Sequence, residues 1–253
     1  MNKIEKNIID RYVMKPDWRI MSRRADFKAI GSRFGVEPVV ARVMVNRGMC
    51  TERDIDMYLN GDREFLHDPA LMRDLPEAGR ILYEKLRDNR RIRIISDYDV
   101  DGVSSNYILF LGMRRVWAQI HNADPGECGV VDYDIPHRIH DGYGINKRLI
   151  DVAEEDGVDT IVTCDNGIAA LEQVRYAKSL GMTVIITDHH QIPYEDGEDG
   201  KRTYMLPNAD AVVDNQRADC EYPFKGLCGA GVACKLIQYL YRISGVDENE
   251  VQD

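Results

Sequence analysis

The 253-residue chain predicts an α/β fold: a doubly wound, mostly parallel five-stranded sheet over 76–253, preceded by a small helical region over 1–75. Three observations predict it. Short, continuous apolar runs alternate with longer stretches of helical spacing, the pattern of parallel strands buried on both faces and joined by right-handed helical crossovers. The chain is long enough, and at 44% hydrophobic apolar enough, to bury such a core. That alternation starts only near residue 76, after a stretch that reads as helix alone.

In the first region, DFKAIGSRFGV has helical apolar spacing and EPVVARVMVNRG reaches Gly48, a residue suited to a helix C-terminus. TERDIDMYLNG opens on Thr51 as N-cap and closes on Gly61. Two short helices are expected, forming a cap on the main domain in preference to an independent binding module. From residue 76, EAGRILYEKLRDN reads as helix and RIRIIS as strand; SNYILFLGMRRVW as helix and GVVDYDIP as extended chain. NKRLIDVAEED (helix), DTIVTC (strand), ALEQVRYAKSLG (helix) and TVIITD (strand) continue the rhythm. ADAVVD is a fifth strand and GAGVACKLIQYLYRIS a final helix. The polar, Gly-rich YEDGEDGKRTYMLPN (194–208) reads as a surface loop or hairpin with a solvated acidic run.

No stretch has the apolar length of a signal peptide or a membrane span, so a soluble, cytoplasmic protein is expected. Six scattered cysteines without a CxxC pair read as reduced thiols, not disulfides or zinc ligands. A net charge of -10 argues against a nucleic-acid binder that works by bulk positive field. That objection is limited, because carboxylates that hold cations count as bare charges, and basic stretches exist at RDNRRIR (87–93) and MSRRADFKAIGSR (21–33).

In an open parallel sheet, ligands bind beyond the carboxyl ends of the strands, where the strand order reverses. RIRIIS runs into Asp97, Asp99 and Asp101; DTIVTC into Asp165; TVIIT into Asp188, His189 and His190. An aspartate after a strand also serves as a helix N-cap, and for Asp165 taken alone that reading stands beside the ligand reading. A lone histidine pair is a common surface feature. Their joint arrival at one sheet edge points to a site for Mn(II) or Mg(II), and the ligand count favours two ions sharing a bridging carboxylate. Cys164, beside Asp165, reads as a small buried hydrophobe.

DYDVDGVSS, VTCDNGIAA and ITDHHQIP, in this order, resemble the first three motifs of the DHH phosphoesterase superfamily. NRGMCTERDIDMYLNG, LHDPALMRDLPEAGRIL, IPHRIHDGYGIN and YPFKGLCGAGVACKL extend the resemblance across most of the chain, toward the RecJ branch of single-strand-specific exonucleases. The resemblance implies a ligand role for Asp99 on one metal and for Asp101 on the other, Asp165 as the bridge, and His189 on the second metal. It implies His190 beside the scissile phosphate, Asp188 orienting a histidine, and Arg138 as a phosphate contact. Ile95 stands where other branches carry a histidine ligand, with Asp97 the nearest oxygen donor. A further family aspartate, the DHH-associated domain and an OB-fold domain all lie downstream of what this chain contains; an N-terminal fragment, weakly active or inactive by itself, is expected. The implied activity is 5'-to-3' degradation of single-stranded DNA in repair and recombination, with two Mn2+ or Mg2+ ions and a single-strand-binding protein or helicase as partner. The alternatives are a phosphodiesterase or pyrophosphatase acting on small or cyclic nucleotides, and an inactive DHH scaffold.

Overall fold

The computed structural model describes residues 22–61, 65–197 and 201–248, which form two compact units, 22–66 and 67–248. The first 21 residues of the expected helical region, and residues 198–200 of the acidic run, lie outside the described residues.

Among its described residues, unit one holds three helices where two were expected: α1 Phe27–Phe34, α2 Pro38–Asn46 and α3 Glu52–Asn60. Asp26 caps α1 through Ala29 N–H, and Thr51 with Asp54 forms a reciprocal capping box on α3. Ala41, Met44 and Ile55 are buried among them, with Phe27, Ile30 and Phe34 packed against this small core. Gly35 adopts a left-handed conformation, which splits the first segment from the second and so accounts for the additional helix.

The second unit begins at His67, earlier than the compositional change at 76. Met72 and Leu75 join its main core. Buried Lys235 donates to the His67 carbonyl at 2.9 Å, and buried Arg217 donates to Asp74 at 2.6 Å, to Asp219 and to the Val212 carbonyl. These contacts bind 67–75 to the sheet domain, and no composition signal reports them.

Helix α4 (Leu75–Arg87) leads into β1 (Ile92–Ser96), α5 (Val100–His121), β2 (Val131–Asp134), α6 (Lys147–Glu155), β3 (Thr160–Cys164), α7 (Leu171–Ser179) and β4 (Thr183–Asp188). A hairpin, β5 (Tyr194–Asp196) with β6 (Arg202–Tyr204), precedes β7 (Ala211–Asp214) and α8 (Gly229–Ser244). The main sheet runs β2-β1-β3-β4-β7, all parallel. Alternate residues feed two cores. Ile92, Ile94, Val162, Ile185 and Val213 face α4, α5 and α8; Ile95, Ile161, Val184, Ile186 and Val212 face α6 and α7.

The chain steps from β1 to β2 on one side, then returns across β1 to place β3 on the other. The crevice beyond the carboxyl ends of β1 and β3 is therefore the switch point. At the opposite, amino edge, the basic 87–93 stretch is neutralised internally: Arg93 donates to Asp132 at 2.7 Å and pairs with Asp156 at 2.9 Å, while Arg91 pairs with Asp132.

Candidate functional site

Every strand of the main sheet ends in, or is followed at once by, an aspartate: Asp97, Asp134, Asp165, Asp188 and Asp214. Asp97, Asp165 and Asp188 are among the site residues expected from sequence. Asp134 and Asp214 carry the same signal and were passed over as ordinary strand residues. Five carboxyls converging on one edge, several of them buried, create a strongly negative field whose desolvation and repulsion favour either protons or cations.

Asp97 is buried, and its Oδ1 has no hydrogen-bond partner. Ligand atoms of Asp97, Asp99 and Asp165 lie within 4.8 Å of one another; so do those of Asp165, His189 and His190. Asp165 belongs to both groups. A buried carboxylate oxygen without a partner, inside an all-oxygen and imidazole donor set, fits a hard divalent cation.

Asp99 is the N-cap of α5: its Oδ1 accepts from Asp101 N–H and Gly102 N–H, both at 2.9 Å, leaving its other oxygen to the crevice. Gly102 is required here because a Cβ would lie 2.4 Å from the Asp97 carbonyl oxygen. Asp165 is not a cap. Helix α7 starts six residues later at Leu171, with Ala170 as its N-cap, and Asp165 instead sits at φ +60°, a left-handed conformation that aspartate tolerates better than most residues. The Tyr143 hydroxyl donates to its carbonyl at 2.9 Å, and its own N–H donates to Thr187 O at 3.0 Å. Burial, followed by the Asp101 and Asp99 charges, pushes the Asp165 carboxyl up to about 7.

Asp101 leans toward α8, where Gly229 N–H and Ala230 N–H donate to its two oxygens at 2.7 and 2.8 Å. This is the stabilisation that a helix N-terminus offers an anion. A Cβ at Gly229 would sit 2.8 Å from the Asp165 carboxylate, so the GAG stretch is small because α8 approaches the site end-on. His189 Nε2 lies 3.0 Å from Asp165 Oδ1 and 3.4 Å from Asp101 Oδ2.

Asp188 is fully enclosed. It accepts from His190 Nδ1–H at 2.7 Å, from the N–H groups of His189 and His190, and from Ile168 N–H. With both oxygens committed, it orients His190 and holds that imidazole up at about 9 through their hydrogen bond. Arg138 is exposed, its guanidinium 5.4 Å over the Tyr98 ring, between Asp97 and Asp99 in sequence; it makes no ion pair among the described residues. Cys164 is buried in the apolar core, and burial pushes its thiol pKa up.

Two further residues belong to the site. Tyr143 and His190 set their rings perpendicular, centroids 6.1 Å apart, while burial and nearby carboxylates hold the tyrosine hydroxyl protonated. Asp214 is buried in register with Asp188, its Oδ2 without a partner, and burial pushes its carboxyl up to about 7. The sequence signal for Tyr143 was its place in the GYG turn; contact with Asp165 is visible only in three dimensions.

A doubly wound α/β domain with carboxylates and imidazoles gathered at its switch point defines a class: proteins built to hold divalent cations where a phosphate ester can reach them. The chain belongs to the DHH family, whose N-terminal domain matches residues 91–252. It is 34% identical over 89% of its length to the single-stranded-DNA-specific exonuclease RecJ of Bacillus subtilis, and 33% over 88% to that of Salmonella typhimurium. It spans only 26% and 34% of those two proteins. Among solved structures, it resembles exonuclease RecJ bound to manganese, with 30% identity, a TM-score of 0.54 and coverage of 70% of this chain and 40% of that one. Thermus thermophilus RecJ in complex with Mn2+ is similar at 26% identity and a TM-score of 0.59, covering 91% of this chain and 29% of that one.

Proposed function

We propose that this chain carries the catalytic domain of a RecJ-like, metal-dependent phosphodiesterase that removes nucleotides from the 5' end of single-stranded DNA in repair and recombination. The observation that carries the reading is the pair of ligand groups sharing Asp165, with the buried, unpartnered Asp97 oxygen inside one of them. Two Mn2+ or Mg2+ ions suit these donors. Asp97 and Asp99 would serve one ion and His189 the other, with Asp165 between them and Asp101 on the His189 side. Bound there, such ions polarise a phosphoryl oxygen and lower the pKa of water.

The chain's own residues do the rest. Asp188 holds His190 by its Nδ1, which leaves Nε2 beside the ligand group, 3.5 Å from the Tyr143 hydroxyl, where it can meet a phosphate oxygen. Gly229 and Ala230 N–H groups fix the Asp101 carboxylate, so it need not reorganise as charge moves. Arg138, resting on Tyr98 at the mouth, supplies a planar guanidinium for a neighbouring phosphate. An edge this acidic repels DNA when bare, and cation loading reverses that. Among the described residues no helix is long and apolar enough to cross a membrane. We assign the protein to the cytoplasm, with a single-strand-binding protein or helicase as partner.

The test is cleavage of labelled single-stranded DNA, duplex DNA and a short dinucleotide, each with Mn2+ or EDTA. Mn2+-dependent release of mononucleotides from the single strand is expected. Preference for the dinucleotide would refute the exonuclease reading.

A further inference from the structure

Beside the carboxylates lies a cavity of about 410 Å³, most of whose lining the ligand groups and the proposed chemistry leave unused. This volume falls within the ~300–1,000 Å³ of small-molecule sites. Its floor is the backbone after β3, Asn166 to Ala170; Tyr143 and Ile145 form one wall, and Gln173 and Gln191 stand around it. It opens onto the site, because His190 and Asp188 line both.

We propose that this cavity is a nucleobase subsite: it receives the base and sugar of the nucleotide whose phosphate lies at His190. The inference rests on the phosphodiesterase reading and deepens it. Its lining selects for that occupant. Apart from His190 at the mouth, no cationic side chain faces it, and Asp188 contributes a carboxylate whose oxygens are already committed, so an anionic group is disfavoured inside. The walls are mostly apolar, and the half-exposed Tyr143 ring offers a face on which a base can stack. The polar groups left over are neutral amides. Gln173 and Gln191 side chains have no hydrogen-bond partner among the described residues, and an amide presents both a donor and an acceptor to a base edge. Asn166 is not available for this. Its amide donates to the Ile95 and Cys164 carbonyls and its oxygen accepts from Ile145 N–H, so it builds the pocket rather than reading its contents.

A flat, uncharged heterocycle tethered to a phosphate therefore matches both the cavity and its mouth. Stacking and amide contacts should favour a nucleotide over its baseless counterpart on the order of tenfold.

The experiment compares binding of thymidine 5'-monophosphate and 2-deoxyribose 5-phosphate to the Mn2+-loaded chain by calorimetry, with NMR of the glutamine side-chain amides as a second readout. Thymidine monophosphate should bind about tenfold tighter and shift the Gln173 and Gln191 signals. Ala169→Phe, which fills the cavity, should abolish that preference without changing Mn2+ affinity. Gln173→Ala, which removes an amide without adding bulk, should reduce it if the larger substitution disturbs folding. Equal affinity for the two ligands, or binding of neither while Mn2+ still binds, overturns the subsite. A clear base preference in a chain that does not degrade single-stranded DNA would overturn the exonuclease reading and leave the subsite standing.

Discussion

Asp165→Asn separates what the site costs the fold from what it does for cations. Asparagine keeps the shape of the side chain, retains an acceptor for His189 and tolerates the left-handed backbone at this position, so little but the charge is removed. The parent carboxyl is raised from its ordinary 3.8 to about 7, chiefly by burial. At ~1.36 kcal/mol per tenfold in proton affinity, that is a penalty of about 4 kcal/mol on the folded, ionised state. The sign follows from linkage. An acid whose folded pKa is raised costs nothing below about pH 4, where both states are protonated; the cost grows through pH 4–7 and is complete above about 7. In EDTA, urea unfolding at pH 8.5 should therefore find Asp165→Asn more stable than the parent by about 2–4 kcal/mol, with the two converging near pH 4. With Mn2+ at about 100 times its Kd, the parent should gain ~2.7 kcal/mol and the variant almost nothing, since the variant lacks the negative charge of the one residue common to both ligand groups. A variant no more stable than the parent at pH 8.5 without metal, or one that binds Mn2+ with parental affinity, would refute the argument that repulsion at this edge is what a cation relieves.

Gly229→Ala should weaken Mn2+ binding at least tenfold and cost about 1–3 kcal/mol, because its Cβ would meet the Asp165 carboxylate at 2.8 Å; metal titration with thermal melting checks both. Asp188→Asn should lower the His190 titration from about 9 toward ~6.5, followed by NMR. The folded-state pKa of His190 is raised, so its stabilising contribution is present below ~6.5 and is lost as pH rises through about 9. The parent's stability advantage over Asp188→Asn should shrink across that window, by less than the full shift implies because the imidazole is half exposed. Arg217→Met should cost about 3–5 kcal/mol in urea unfolding, since it strips Asp74 of a buried partner at 2.6 Å; Mn2+ affinity should not change, as this contact lies outside the metal groups.

Much of the main domain was legible because its strands are continuous apolar runs flanked by helices, a pattern written locally. The same local logic fails where distance in sequence hides proximity. The 67–75 segment reads as a linker, yet Lys235 and Arg217, more than 140 residues away, pull it into the sheet domain. Thr51 as a cap was visible from spacing alone. The third helix of the first unit was missed because its separation depends on one left-handed turn at Gly35.

The site divides in the same way. Sequence alone determined which side chains reach the carboxyl edge, since a strand's end and the residue after it are local properties, and the DxD, Asp-Asn-Gly and Asp-His-His stretches name themselves. Only the tertiary structure decided their roles. It made Asp99 the helix cap and Asp165 the strained hub, committed both oxygens of Asp188 to positioning, turned Asp101 toward the α8 N-terminus, set Asp214 in register with Asp188, and brought Tyr143 to an edge where it had not been sought. The physical reason is that ligand geometry and burial are set by neighbours from other strands and helices. A sequence lists the charges at that edge; packing determines which of them meet, and therefore which must be offset by a proton or a cation.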